Sequence, residues 1–237
     1  MKNLFFSFIL AVPVFGAGQA LSLAAPNWSV VAGLYNYQGS LYYLPVQPAG
    51  RPGGAPVIAF TFNDAASGLF DGYLMTSTGI APMAYGQTIT INFEVDTTGA
   101  PVLNGKNADD NTCPFPPPSV HVYLSSAYAP EQFISPEWQR WFTSVAPYIT
   151  TLAPGKFTMS IPLTPTGVWT DVYGNTPGDT INLFGFDGLA ETLAVPTTMG
   201  ITFGGGCFAA HGVQVNDNPD GSPTGTVTIK VLSIQVQ

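Results

Sequence analysis

The chain predicts an all-β fold: an antiparallel β-sandwich of the jelly-roll kind, with one short helix inserted at residues 136–145. Three observations carry this. Runs of roughly five to eight residues alternate apolar with polar side chains, the period of a strand with one buried face. The 22 Pro and 26 Gly are spread along the chain and separate those runs by turns. Charged residues make up only 8 % of the 237, too few for long exposed helices, which draw on i,i+4 charge pairs. Strands do not alternate with helices, which excludes a parallel α/β sheet.

Residues 1–20 have the make-up of an export signal. Lys2 supplies a positive start, Leu4–Val14 is an apolar run, and Gly18-Gln19-Ala20 puts small residues at the −3 and −1 positions of a cleavage site. The run is shorter than the roughly 20 residues that span a bilayer. The mature chain, residues 21–237, is therefore expected to be one sandwich domain without a membrane span, secreted or periplasmic.

In order along that domain, LYNYQGSLYYLP holds two short aromatic runs around Gln38-Gly39-Ser40, the signal of a hairpin. Val57–Phe62 and Leu69–Met75 are β-like, with Asn63–Gly68 between them as a turn. Gln87–Asp96 is the cleanest strand, with Ile89, Ile91, Phe93 and Val95 on one face and Thr88, Thr90, Asn92 and Glu94 on the other. Thr97–Pro118 is a long loop, of the kind that is functional or stapled down. In Ser119–Ser125, parity points Val120, Val122 and Leu124 inward and His121 and Tyr123 outward.

The helix is expected at Pro136–Val145. Ser135 suits an N-cap, Pro136 the first turn and Glu137 the positive end of the dipole. Trp138, Trp141, Phe142 and Val145 recur at i, i+3, i+4 and i+7 as one apolar face. Lys156–Leu163 alternates again. Trp169–Tyr173 reads as an edge or corner, and Thr180–Phe186 and Thr197–Phe203 as further strands. Thr224–Val236 closes the chain. Its apolar parity changes at Val231-Leu232, which predicts a β-bulge.

The formal net charge is −8 and the pI about 4.3. Six Lys+Arg cannot track a phosphate backbone, so nucleic acid is not an expected partner. Anionic lipid is disfavoured on the same ground. Two cysteines in an exported chain, Cys113 and Cys207, are read as one disulfide. It would contribute on the order of 3–5 kcal/mol by closing a long loop.

Catalytic signals are few. No G-x-S-x-G elbow and no H-E-x-x-H is present. Gly204-Gly205-Gly206 lacks the Lys-Ser/Thr of a phosphate loop and reads as close strand packing. His211 shares parity with Val213 and Val215 and is expected inside, while His121 faces away, so the two do not form a dyad. Glu94 stands where a sandwich glycosidase would place a carboxylate, but such an enzyme needs two. Asn216, Asn218 and Asp220, with Gly221 after them, match the start of a calcium loop. Val227 occupies the place of its last acid, and an Asx-turn accounts for the run equally well. The aromatic excess is the remaining signal. Tyr35, Tyr37, Tyr42, Tyr43 and Tyr123, with His121, are the candidate ligand-binding residues, as rings that stack on sugar C–H groups.

The closing strand GTVTIKVLSIQV, the alternating Gln87–Val95 strand and the Cys-containing glycine bend together resemble secreted jelly-roll domains of the carbohydrate-binding and galactose-binding-like type. The resemblance implies a binding role and a structural calcium, and it transfers no catalytic residue; no other cofactor is expected. The expected function is non-catalytic recognition of a glycan or other extracellular surface ligand. The rivals are a structural or surface-assembly protein and a polysaccharide-degrading enzyme built on Glu94 or His121.

Overall fold

The computed structural model describes residues 18–24, 27–35, 41–43, 47–48, 57–64, 67, 69–105, 118–126, 139–147, 150–204, 212–216 and 224–237. In chain order these form β1 (Gln19–Ala20), β2 (Trp28–Tyr35), β3 (Leu41–Tyr43), β4 (Gln47–Pro48), β5 (Ile58–Thr61), β6 (Leu69–Thr76), β7 (Thr88–Gly99), β8 (Val102–Gly105), β9 (Ser119–Ser125), β10 (Arg140–Thr143), β11 (Thr150–Thr151), β12 (Gly155–Pro162) and β13 (Trp169–Asp171). Helices α1 (Pro177–Phe184) and α2 (Gly188–Ala194) follow, then β14 (Thr198–Gly204), β15 (Val213–Asn216) and β16 (Gly225–Val236).

The strands pair antiparallel in two sheets, as an all-β sandwich requires. The first sheet runs β1-β16-β7-β12, with β5 beside β1 on the same edge of β16. The second runs β13-β10-β9-β14-β6-β15-β8, with β11 on β9 and with β2 on β6 carrying β3 and β4. Among the described residues no helix is long and apolar enough to cross a membrane.

Strand β7 follows its sequence pattern. Ile89, Ile91, Phe93 and Val95 are buried while their neighbours keep partial exposure. Each such side chain contributes about 1.5–3 kcal/mol when fully buried. In β16, Val227, Ile229 and Val231 face the core, a register shift intervenes between Val231 and Ser233, and Ile234 and Val236 resume. The bulge expected from the parity change is therefore present, and it keeps the apolar positions on both sides of it on the core face. The β2–β3 pairing agrees with the expected hairpin.

The main core lies between the sheets. Trp28, Trp141 and Trp169 are fully buried within it. The indole N–H of Trp28 donates to the Ser22 carbonyl at 2.9 Å, and that of Trp169 to the Pro162 carbonyl at 3.0 Å. Each ring is thus buried without an unpaired donor.

The expected loop at Thr97–Pro118 begins instead as strand, extending β7 to Gly99 and forming β8 on β15. Three further expectations are corrected. Residues 140–143 form a strand, not part of a helix: β10 pairs with β9 and β13. Trp141 joins the main core and Phe142 a second apolar cluster, so their side chains take opposite faces of a sheet. The i, i+3, i+4 spacing fits a helix, but adjacent rings buried on two faces fit a strand equally well, and pairing with two neighbours decides. Trp138 lies outside the described residues.

Conversely, Thr180–Phe186 is not a strand. Thr176 caps α1, accepting from Asp179 N at 3.3 Å, while the Asp179 carboxylate accepts from Thr176 N at 2.8 Å. Pro177 opens the helix, and Gly185 ends it in the left-handed conformation at φ 82°.

The third correction concerns the outer face of the second sheet. All seven residues of β9 and all seven of β14 are buried. Alternation there separates two covered faces rather than a dry face from a wet one, so His121 and Tyr123 do not face solvent.

Close strand packing sets the glycine requirement at Gly200. A Cβ there would strike the Leu74 carbonyl oxygen and come within 2.7 Å of the Met75 Cα, both backbone atoms of β6. Gly178, in the first turn of α1, has its nearest neighbour atom at an ordinary 3.7 Å. Gly200→Ala is expected to lower the melting temperature sharply or prevent folding. Gly178→Ala should be neutral or stabilising by up to about 1 kcal/mol. Thermal unfolding of the two variants checks both.

Candidate functional site

Period-2 geometry places Ser119, His121, Tyr123 and Ser125 on one face of β9. The register adds Thr202 beside His121, Gly200 beside Tyr123 and Thr198 beside Ser125 from β14, and Arg140 and Phe142 from β10. The result is a polar strip on the outer face of the second sheet, interrupted by rings.

At one end of the strip, Ser119 Oγ lies 2.8 Å from His121 Nε2, and His121 Nδ1 lies 2.7 Å from the Thr143 carbonyl oxygen. A carbonyl only accepts, so Nδ1 carries a proton. In the neutral ring Nε2 then accepts from the Ser119 hydroxyl. That hydroxyl also lies 3.1 Å from the Gly204 carbonyl, and its one proton cannot serve both. Thr143 Oγ1 accepts from Val122 N at 3.0 Å. Burial holds the imidazole below its ordinary pKa of 6.5, with the Thr143 bond opposing. His121 is thus a neutral histidine with both nitrogens occupied inside the sheet.

Tyr123 is fully buried between Tyr73 and Phe142, with ring centroids 5.2 Å away in each case. Burial, more than any neighbour, pushes its hydroxyl pKa far above the ordinary value. Neither His121 nor Tyr123 presents a ring for stacking on a sugar.

The tyrosine hairpin is separate from the strip. Gly33 pairs with Tyr43, Leu34 with Tyr42 and Tyr35 with Leu41. Tyr35 and Tyr43 therefore hold diagonal positions on one face, with Gly33 opposite Tyr43, and Tyr42 belongs to the other face. Asn216 ends β15, in register with Val102. Tyr37, Asn218, Asp220, Cys113, Cys207 and His211 lie outside the described residues. Among the described residues no three His, Cys, Asp or Glu side chains gather closely enough to hold a metal ion.

Glu94 sits on the outer face of the first sheet, in register with Lys156 on one side and Lys230 on the other. Lys230 makes an ion pair with Asp96. Around them a lattice of small polar side chains crosses the strands. Thr98 bonds Thr226 at 2.7 Å and Thr61 bonds Thr228 at 2.8 Å. Thr158 donates to Asn92 at 2.6 Å, and Asn92 to Ser233 at 2.8 Å.

Sequence reasoning missed Asp71. It is 1 % exposed and accepts from Asn63 N at 2.7 Å and Asn63 Nδ2 at 2.8 Å, fastening the crossover from β5 in one sheet to β6 in the other. Burial raises its pKa from an ordinary 3.8 to about 6, against the two Asn63 bonds. The signal was available: Asp71 is a lone acid inside the apolar run LFDGYLM.

Comparison with protein-family models, with curated proteins and with solved structures finds no match. Function therefore has to be read from the chain's own geometry.

Asp71 and His121 give stability opposite dependences on pH. Native Asp71 holds a proton that the unfolded chain has released, so its contribution is full below pH about 4 and is lost as pH rises through about 6, on the order of 3 kcal/mol in all. Native His121 resists a proton that the unfolded chain takes up, so stability is lost as pH falls below the ordinary 6.5. Denaturant unfolding between pH 4 and 7 should show Asp71→Asn losing stability on acidification more steeply than wild type. His121→Gln should gain stability over the same descent.

Proposed function

We propose that the chain is a secreted, non-catalytic recognition protein whose ligand is a glycan, bound at the tyrosine hairpin of β2 and β3. The observation that carries this is the hairpin register. It sets Tyr35 and Tyr43 diagonally on one face, with a glycine where a side chain would otherwise stand across from Tyr43. Two aromatic positions on one face, one of them opposite a glycine, suit a ligand laid flat along them. Large amphipathic rings supply contact area at low entropic cost. The positive start and apolar run of residues 1–20 support export.

One observation favours a second reading, a structural protein that assembles at the cell surface. Tyr173, Ile181, Leu183, Phe184 and Val195 are between 42 % and 73 % exposed around α1 and α2. Apolar exposure of this kind marks contact surfaces. Sedimentation velocity separates the two, since self-assembly gives species that grow with concentration.

In glycan-array or polysaccharide pull-down binding, Tyr35→Ala and Tyr43→Ala should each weaken retention at least tenfold. Tyr42→Ala, on the other face, should have a smaller effect. Binding untouched by all three would sink the hairpin site.

A further inference from the structure

The two ends of the polar strip differ in charge. At the His121 end both ring nitrogens are satisfied, and the neutral Thr202 Oγ1 is buried without a hydrogen-bond partner. At the other, Arg140 of β10 stands opposite Ser125 of β9, and Ser125 opposite Thr198 of β14, so the three form one row on one face. Ser125 is fully buried and Thr198 is 1 % exposed. Thr198 Oγ1 and Arg140 Nε are both buried without a hydrogen-bond partner, as is Oε1 of the neighbouring Gln139. Arg140 as a whole keeps partial exposure, so its side chain reaches the surface.

No acid among the described residues pairs with Arg140. Asp171, on the adjacent β13, stands in register with Trp141 and so belongs to the opposite face. Its carboxylate already accepts from Tyr173 N, Asn175 N and Asn175 Nδ2 at 2.8–2.9 Å. An unpaired buried donor costs more than a hydrogen bond returns, and nearly all such groups in native proteins have partners. A guanidinium cannot shed its proton, so only an incoming acceptor relieves it.

We propose that the Arg140–Ser125–Thr198 row is a carboxylate-binding subsite, entered from the exposed side of Arg140. The carboxylate accepts from Arg140, and the Thr198 hydroxyl donates its otherwise unused proton. Two sources carry this chemistry: a uronic-acid residue of an acidic glycan and a free small carboxylate. Only the first rests on the glycan reading above.

Calorimetric titration of the full chain with sodium glucuronate, sodium acetate and glucose tests the subsite. Glucuronate should bind, and any glucose binding should be unchanged by the variants at Arg140 and Thr198. Arg140→Met and Thr198→Val should each weaken glucuronate at least about tenfold, the size of a lost charge-assisted bond. Thr198→Val keeps the side-chain shape and removes a hydroxyl with no partner, so its melting temperature should not fall. If Arg140→Met fails to fold, Thr198→Val alone decides. Equal binding of acetate and glucuronate supports the subsite and assigns it to free carboxylates, whatever the tyrosine variants do. No glucuronate binding, or glucuronate binding that survives the folded variants, would overturn the subsite and leave the hairpin reading to its own experiment.

Discussion

The pairing of β16 with β7 organises the molecule. These two strands share eleven register partners, from Gly225 opposite Gly99 to Val236 opposite Ile89. Between them they place Ile89, Ile91, Phe93, Val95, Val227, Ile229, Val231, Ile234 and Val236 in the core. Strand β12 adds to one side of the pair, and β5 and β1 to the other. Strand β16 must find a partner more than a hundred residues earlier, so the core closes only once β16 has formed. Such non-local closure is slow, because loop entropy is lost before contacts compensate.

How far the chain could be read from its residues follows from burial. Strands with one covered face, β7, β12 and β16, show their alternation openly, and even the bulge at Val231 is visible as a change of parity. Strands β9 and β14 are covered on both faces, so the polar half of SVHVYLS looks solvent-facing when its serine and histidine are bonded to each other and to neighbouring strands. The Trp141-Phe142 pair is ambiguous for the same reason: two adjacent buried rings fit a helix stripe or a strand between two apolar clusters. At α1, the capping residues Thr176 and Asp179 carry the helix signal, and the β-like TINLF run after them masks it. The ligand candidates fared differently. His121 and Tyr123 became internal, whereas Tyr35, Tyr42 and Tyr43 kept strand positions whose register could only come from pairing. Arg140, Ser125 and Thr198 are far apart in sequence and meet only through two sheet registers, which no local pattern encodes.

The outer face of the second sheet is costly to build. Its polar groups are out of water, so each depends on a partner inside the protein or on a ligand. At the His121 end the sheet supplies the ring's two partners from a hydroxyl and a backbone carbonyl, while the Thr202 hydroxyl has none. Asp71 is handled similarly at the crossover, where Asn63 covers both carboxylate oxygens. One group favours the protonated native state and the other the neutral one, so proton uptake at the first offsets refusal at the second. Stability therefore varies less between pH 7 and 4 than either residue alone would make it.

The two-residue strand β1 has a bearing on maturation. Gln19 and Ala20 are zipped to Val236 and Gln235, and the Gln19 side chain also spans to the Gly79 carbonyl and the Ala81 amide. Processing after Ala20 would take this seam away and strip the end of β16 of its outer neighbour. The new amino terminus would then be the Leu21 nitrogen, which already donates to the Ile234 carbonyl at 2.9 Å. Cleavage there would thus put the new positive charge on the nitrogen that holds the chain to β16, while the other contacts of β1 would be lost.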